Sequence, residues 1–250
     1  MTLQKLPIAI AGTLASSLVL SLLWLPQNAP ARTPMAGTTQ APPPPPNAPP
    51  PNGTRPGGGL NPDESLCSPL NDGLRALIPA ENPVLTTRAY PTVLFYIPAG
   101  AEDVQYGEFS LLLWPDEEIR HYETRFTLPA SPGIVSITLP EVPEYALAED
   151  QIYRWYFQLH CEDDEDTQPD LTLHGAMQRV ALTPERAQQI QAGSPEIWYD
   201  ALASVADRLQ ASPQESQLSA QWQELLQLIE AESVGDAQFL GPVLPLEEEE

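Results

Sequence analysis

The sequence is short of positive charge. Lys5 is its only lysine, and 11 basic residues stand against 34 acidic ones, for a net charge of -23. Affinity for phosphate backbones and for anionic lipid head groups comes mainly from Lys and Arg releasing counterions, so this deficit excludes nucleic-acid binding and an electrostatic hold on a membrane. Aromatic residues make up only 7%, and most fall between Tyr90 and Trp222, which puts the core-forming material in the middle and later chain. No glycine-framed serine, phosphate-binding glycine loop or paired-histidine zinc motif occurs, so the sequence nominates no catalytic residue, no cofactor and no metal ligand. His121, His160 and His174 are the only histidines. His160 and His174 could share a metal only from neighbouring strands, and polar surface is the simpler reading of both.

Proline is abundant, at 30 residues, and is concentrated early. Before it, Leu6 to Leu25 carries no charge and follows Lys5 directly. A positive end followed by an apolar run reads as an export signal, and Ala29, Pro30 and Ala31 suit cleavage after Ala31. A run of about 20 residues can also span a bilayer, so residues 1–31 are read as a signal peptide or an N-terminal membrane anchor. Either way the remainder is expected outside the cytoplasm, as a periplasmic, secreted or anchored protein that meets a membrane only through an uncleaved N-terminal segment. Residues 32–65, with Pro42 to Pro46 unbroken and Gly57 to Gly59 near the end, read as a disordered Pro/Gly-rich linker on an extended path.

From Leu74 to Leu182 the hydrophobic period is two, and residues 66–182 read as one β-sandwich domain. Val93, Phe95 and Ile97 share one face; Phe109, Leu111 and Leu113 another; Tyr153, Trp155, Phe157, Leu159 and Cys161 line a third against Arg154, Gln158 and His160. Proline- and glycine-containing turns separate these runs, which predicts an antiparallel β-sandwich and a mainly β protein. Leu147, six residues before Tyr153, resembles the leucine and tyrosine spacing of the corner before the sixth strand in fibronectin type III and immunoglobulin-like sandwiches. Cys67 and Cys161 most simply form a disulfide in an exported chain, closing a loop of roughly 95 residues. A nucleophilic Cys161 served by His160 is disfavoured, because adjacent strand residues point to opposite faces.

After Leu182 the period becomes helical. Thr183 and Pro184 read as an N-cap and first helical residue, and Gly193 ends that helix. A second start falls at Ser194, Pro195 and Glu196, and Leu218, Trp222, Leu225, Leu226 and Ile229 mark a later amphipathic helix, so residues 183–233 read as a helical hairpin. Ala201 and Pro213 resemble half of one tetratricopeptide unit, too little for an array. Trp198, Tyr199 and Trp222 either pack into the core or form an aromatic partner-docking face. Residues 234–250 read as an acidic disordered tail. Residues 162–166 form an acidic loop without the ordered spacing and turn glycine of a calcium site, so a solvated charge run is preferred.

Several segments together resemble one family: Leu74 to Pro79, Leu85 to Pro98, the run Tyr153, Arg154, Trp155, Tyr156, Phe157 leading to Cys161, and the run Trp198, Tyr199, Asp200, Ala201, Leu202. They resemble the cyanobacterial family known as domain of unknown function 928, over roughly Gly57 to Ile229. The resemblance implies no activity and no site residue. The expected function is a non-catalytic protein-binding or scaffold module of the cell envelope, with an unidentified envelope protein as partner. The alternative is a carbohydrate-binding protein or carboxylate-dependent hydrolase that uses aromatics such as Trp114, Tyr122 and Trp155.

Overall fold

The computed structural model describes residues 48–57, 66–99, 101, 104–161 and 168–246. The export segment, residues 32–47 and 58–65 of the linker, the acidic loop and residues 247–250 lie outside them. Ten strands and three helices follow in order: β1 Arg75–Ala76, β2 Val84–Thr86, β3 Thr92–Ile97, β4 Tyr106–Leu113, β5 Arg120–Thr127, β6 Gly133–Thr138, β7 Ile152–His160, β8 Leu171–Arg179, α1 Pro184–Ala192, α2 Trp198–Ala211, α3 Ser216–Leu228, β9 Phe239–Pro242 and β10 Leu244–Pro245. Among the described residues no helix is long and apolar enough to cross a membrane.

The strands form a four-stranded sheet, β1-β3-β6-β9, and a six-stranded sheet, β10-β5-β4-β7-β8-β2. Alternation places Phe95 of the small sheet against Phe109, Trp155 and Phe157 of the large one. Phe95 stacks on Phe157 at 4.2 Å and meets Trp155 edge-on at 5.6 Å, geometries each worth about 0.5–1.5 kcal/mol beyond burial. Gly175 sits where Trp155 crosses β8, since a Cβ there would lie 2.5 Å from Cζ2 of the indole.

Both sheets are mixed, which corrects the antiparallel expectation: β2 runs parallel to β8, and β9 parallel to β6. Both are short peripheral strands delivered by long connections, and a period of two carries no information on strand direction. The central pairs β3–β6, β4–β5, β4–β7 and β7–β8 are antiparallel.

The capping signals of α1 act as read: Thr183 Oγ1 accepts the Arg186 N–H at 3.2 Å, Pro184 opens the helix and Gly193 ends it at φ 70°. The helices do not stand apart from the sandwich. The start of α2 is tied to the segment after β1 and to β7: the Trp198 indole donates to the Leu77 carbonyl at 2.8 Å, and the Trp155 indole donates to the Tyr199 hydroxyl at 2.8 Å. Asp200, 1% exposed, accepts from the Thr86 hydroxyl at 2.5 Å, from the Thr87 N–H at 2.9 Å and from the Thr87 hydroxyl. Further along, Ala203 and Ala206 of α2 stand across a hollow from Leu94 and Ser136, so α2 covers part of the outer face of the small sheet.

Two segments expected to be disordered are partly docked. Residues 48–57 of the linker lie on the sandwich: Asn52, buried, donates its side-chain amide to the Pro79 and Glu81 carbonyls and accepts the Ala176 N–H at 2.9 Å. One asparagine thereby satisfies groups of β8 and of the turn before β2, which composition could not reveal. In the tail, β9 and β10 pair with β6 and β5, because Phe239, Leu240 and Val243 supply apolar packing that the surrounding charge conceals.

Candidate functional site

The run Tyr153-Arg154-Trp155-Tyr156-Phe157 divides between two faces of β7. Tyr153, Trp155 and Phe157 point inward and are buried. The Tyr153 hydroxyl accepts the Ala148 N–H at 3.0 Å, tying the preceding loop to the strand as the leucine and tyrosine spacing implies. The indole of Trp155 reaches Tyr199, so the two runs that carry the family resemblance meet inside the molecule. Burial raises the Tyr199 phenol pKa, which keeps it protonated. Trp198, Tyr199 and Trp222 are each no more than 2% exposed, which corrects their reading as a docking face: their indole and phenol groups take partners in the core instead.

Arg154 and Tyr156 point outward, on a face of the six-stranded sheet against which no helix among the described residues packs; Arg154 is buried there at 9% exposure and Tyr156 half-buried. The Arg154 guanidinium lies over the Tyr156 ring at 5.2 Å and the Trp114 ring at 6.0 Å. Its Nη1 is 3.7 Å from Glu117 Oε1, and its Nη2 is 3.3 Å from His174 Nδ1. The Tyr156 hydroxyl donates to Glu117 Oε2 at 2.6 Å; burial first, then this bond, push its pKa up to about 12. His174 Nδ1 also receives the Gly53 N–H at 3.3 Å, so the ring keeps its proton on Nε2. Burial, with Arg154 adding to it, lowers the His174 pKa. Only glycine fits at Gly53, since a Cβ there would lie 2.6 Å from His174 Nε2.

A second group repeats the pattern further along the same face. Tyr106 stacks on His160 at 4.4 Å, Arg125 lies over Tyr106 at 5.1 Å, and its Nε is 3.6 Å from Glu108 Oε2. Burial lowers the His160 pKa, with Asp170 opposing. The ladder β7–β8 places Tyr156 opposite His174 and Leu159 opposite Leu171, so His160 and His174 do not converge on one metal. Cys67 and Cys161 are bonded, with Cα atoms 5.7 Å apart, so the cluster they form with Asp170 offers no thiolate ligand.

Chemically, this face presents the half-buried Tyr106 and Tyr156 rings and the exposed Arg125 guanidinium, with Arg154 and His160 buried among them. It can stack on and hydrogen-bond a partner. Arg154 and His160 were legible as the polar side of β7, but Glu117 was not. It arrives from the β4–β5 turn, and no period links a turn residue to a strand face. Of the aromatics suggested for sugar contact, Trp155 is buried, Tyr122 packs edge-on against Tyr145 at 5.0 Å, and only Trp114 belongs to the outer face.

Neither a curated protein nor a solved structure matches the chain. The model of the family described as Domain of Unknown Function (DUF928) matches residues 51–239, from the strap beside Asn52 to the start of β9, and the chain belongs to that family.

Proposed function

We propose that this is an exported cell-envelope protein, in a cyanobacterial source, that acts as a non-catalytic protein-binding or scaffold module. The observation that carries the reading is the outer face of the six-stranded sheet, on which no helix among the described residues packs and where the exposed Arg125 and the half-buried Tyr106 and Tyr156 present stacking, hydrogen-bonding surface beside the buried Arg154, in a chain otherwise poor in both arginine and aromatics. The Cys67–Cys161 bond supports an oxidising compartment. The order β1-β3-β6 opposite β5-β4-β7-β8, with the Tyr153 corner, supports an immunoglobulin- or fibronectin-like sandwich. In the same proposal the proline-rich segment spaces the folded unit from a membrane or wall, α2 and α3 form the helical hairpin, and the partner is another envelope protein.

The test is recovery of the tagged full-length protein from its native envelope after mild cross-linking, with mass spectrometry of what accompanies it. A single enriched partner, lost when Arg154 and Tyr156 are replaced together, is expected. Turnover of a substrate by the purified protein, abolished by one carboxylate substitution, contradicts the non-catalytic reading. A carbohydrate ligand is the second reading, favoured by Trp114 and Tyr156 flanking one guanidinium; a glycan array decides it.

A further inference from the structure

Two hollows, of about 330 Å³ and 390 Å³, open on either side of a wall formed by Arg55, Arg75 and Glu230. Arg75 leaves β1 and is 8% exposed. It donates Nη1 to the Glu230 carbonyl at 2.8 Å and Nη2 to the Ile229 carbonyl at 2.9 Å, at the end of α3. A cation there meets the negative end of the helix dipole, which accounts for Arg75. It does not account for Arg55. That residue is exposed, has no ion pair among the described residues, and stands beside a second guanidinium in a chain with 34 acids to 11 bases. Burial first, and Arg55 next, lower the Arg75 pKa, with Glu230 and Glu232 opposing, so the two cations repel and the nearby carboxylates offset only part of that repulsion.

Glu230 is also out of the ordinary. It adopts φ 53° at the end of α3, where Ala231 N–H bonds the Leu226 carbonyl at 2.9 Å and Glu230 N–H the Gln227 carbonyl at 3.2 Å. This helix-ending geometry is the one that favours glycine. Glu230 thus holds its carboxylate on the wall at the cost of an unfavourable backbone angle; with Glu232 it offsets part of the charge of Arg75, while Arg55 has no ion pair among the described residues. Asp72 lies across the first hollow, and Leu74, Pro98 and Val234 give it an apolar side.

We propose that this wall binds a small zwitterion with an apolar side chain. Its carboxylate lies against Arg55 and the unused N–H groups of Arg75, and its ammonium against Glu230 and Asp72. Free amino acids and short peptides both offer this chemistry. A phosphate dianion meets the two carboxylates and is disfavoured. The site is separate from the outer face of the six-stranded sheet and does not depend on the docking reading.

The test titrates the full chain with L-leucine and with glycyl-leucine, following the backbone amide resonances of Thr54, Arg75 and Ser233. Leucinamide, N-acetyl-leucine and inorganic phosphate are the controls. Leucine or glycyl-leucine is expected to saturate those shifts, the stronger of the two identifying the source, while leucinamide and phosphate leave them in place. N-acetyl-leucine is expected to bind more weakly than leucine. Arg55→Gln, at an exposed side chain with no role in the fold, is expected to weaken binding at least ~10-fold, as loss of a charge-assisted contact requires. No saturable shift from leucine or glycyl-leucine, equal shifts from leucinamide or phosphate, N-acetyl-leucine equal to leucine, or full affinity in Arg55→Gln each overturns the proposal.

Discussion

The two sheets share one core and treat their outer faces in opposite ways. The outer face of β3 and β6 is covered in part by α2, so β3 carries the apolar run Val93, Leu94, Phe95 with Leu94 buried on the helix side, while Thr92 and Thr138 pair at the uncovered end. No helix among the described residues packs on the outer face of β4, β7 and β8, which carries Glu108, Arg154, Tyr156, Gln158 and His174, so polar and apolar residues alternate along most of β7 even though Arg154 and His160 are themselves buried. A strand buried on both faces loses its alternation and a strand open on one face keeps it. On the proposed function the same difference separates residues that hold the fold from the exposed and half-buried ones, such as Arg125 and Tyr156, that would meet a partner.

Predictions grade along that division. The largest effect belongs to the bond that ties the segment before β1 to the end of β7. Replacing Cys67 and Cys161 by serine is expected to lower unfolding free energy by about 4–5 kcal/mol, read by denaturant titration against the oxidised parent, because the crosslink closes a loop spanning 94 positions. Next comes α2, the covering helix. Asp200→Ala removes a buried carboxylate that accepts from Thr86 and Thr87, and a loss of about 3 kcal/mol is expected in the same assay; a loss under ~1 kcal/mol would mean that α2 is not anchored there.

The open face is expected to behave otherwise. Tyr156→Phe removes one hydrogen bond to a half-exposed carboxylate and should cost less than ~1 kcal/mol of stability, while partner recovery falls. The smallest effect is that of pH. Burial lowers the His174 and His160 pKa values, so on the acid side of the ordinary histidine value the unfolded chain binds more protons than the folded one. Their contribution is complete above about pH 6.5, the unfolded value, and is lost as pH falls through the lower folded values. His174→Gln should flatten part of the decline in denaturation midpoint with falling pH; an unchanged slope would show that the ring titrates alike in both states.

The inward side of the sandwich was legible because burial on one face writes itself as a period of two: Phe109, Leu111, Trp155 and Phe157 all face the core as the pattern implies. The cysteine pair and the caps of α1 were legible through equally local chemistry. Strand direction was not, since β2 and β9 have the same period whichever way they run. Nor could the sequence place Trp198 and Tyr199. An amphipathic helix shows which face is apolar but not whether core or partner covers it, and the answer lay in the Leu77 carbonyl and the Trp155 indole more than 40 positions away. Asn52 and Glu117 were hidden for a similar reason. Each acts from an irregular segment on a strand distant in sequence.

In the proposed function the outer face of the six-stranded sheet, and not the helical side, is the surface that would meet the partner. The most direct measurement places a photo-activated cross-linking side chain at Glu123 or Gln158 on that face, and at Glu224 on the exposed side of α3, in the full-length protein in its native envelope. The account predicts one discrete adduct from the sheet positions and none from Glu224. Adducts from Glu224 alone, or none from any position, would contradict it.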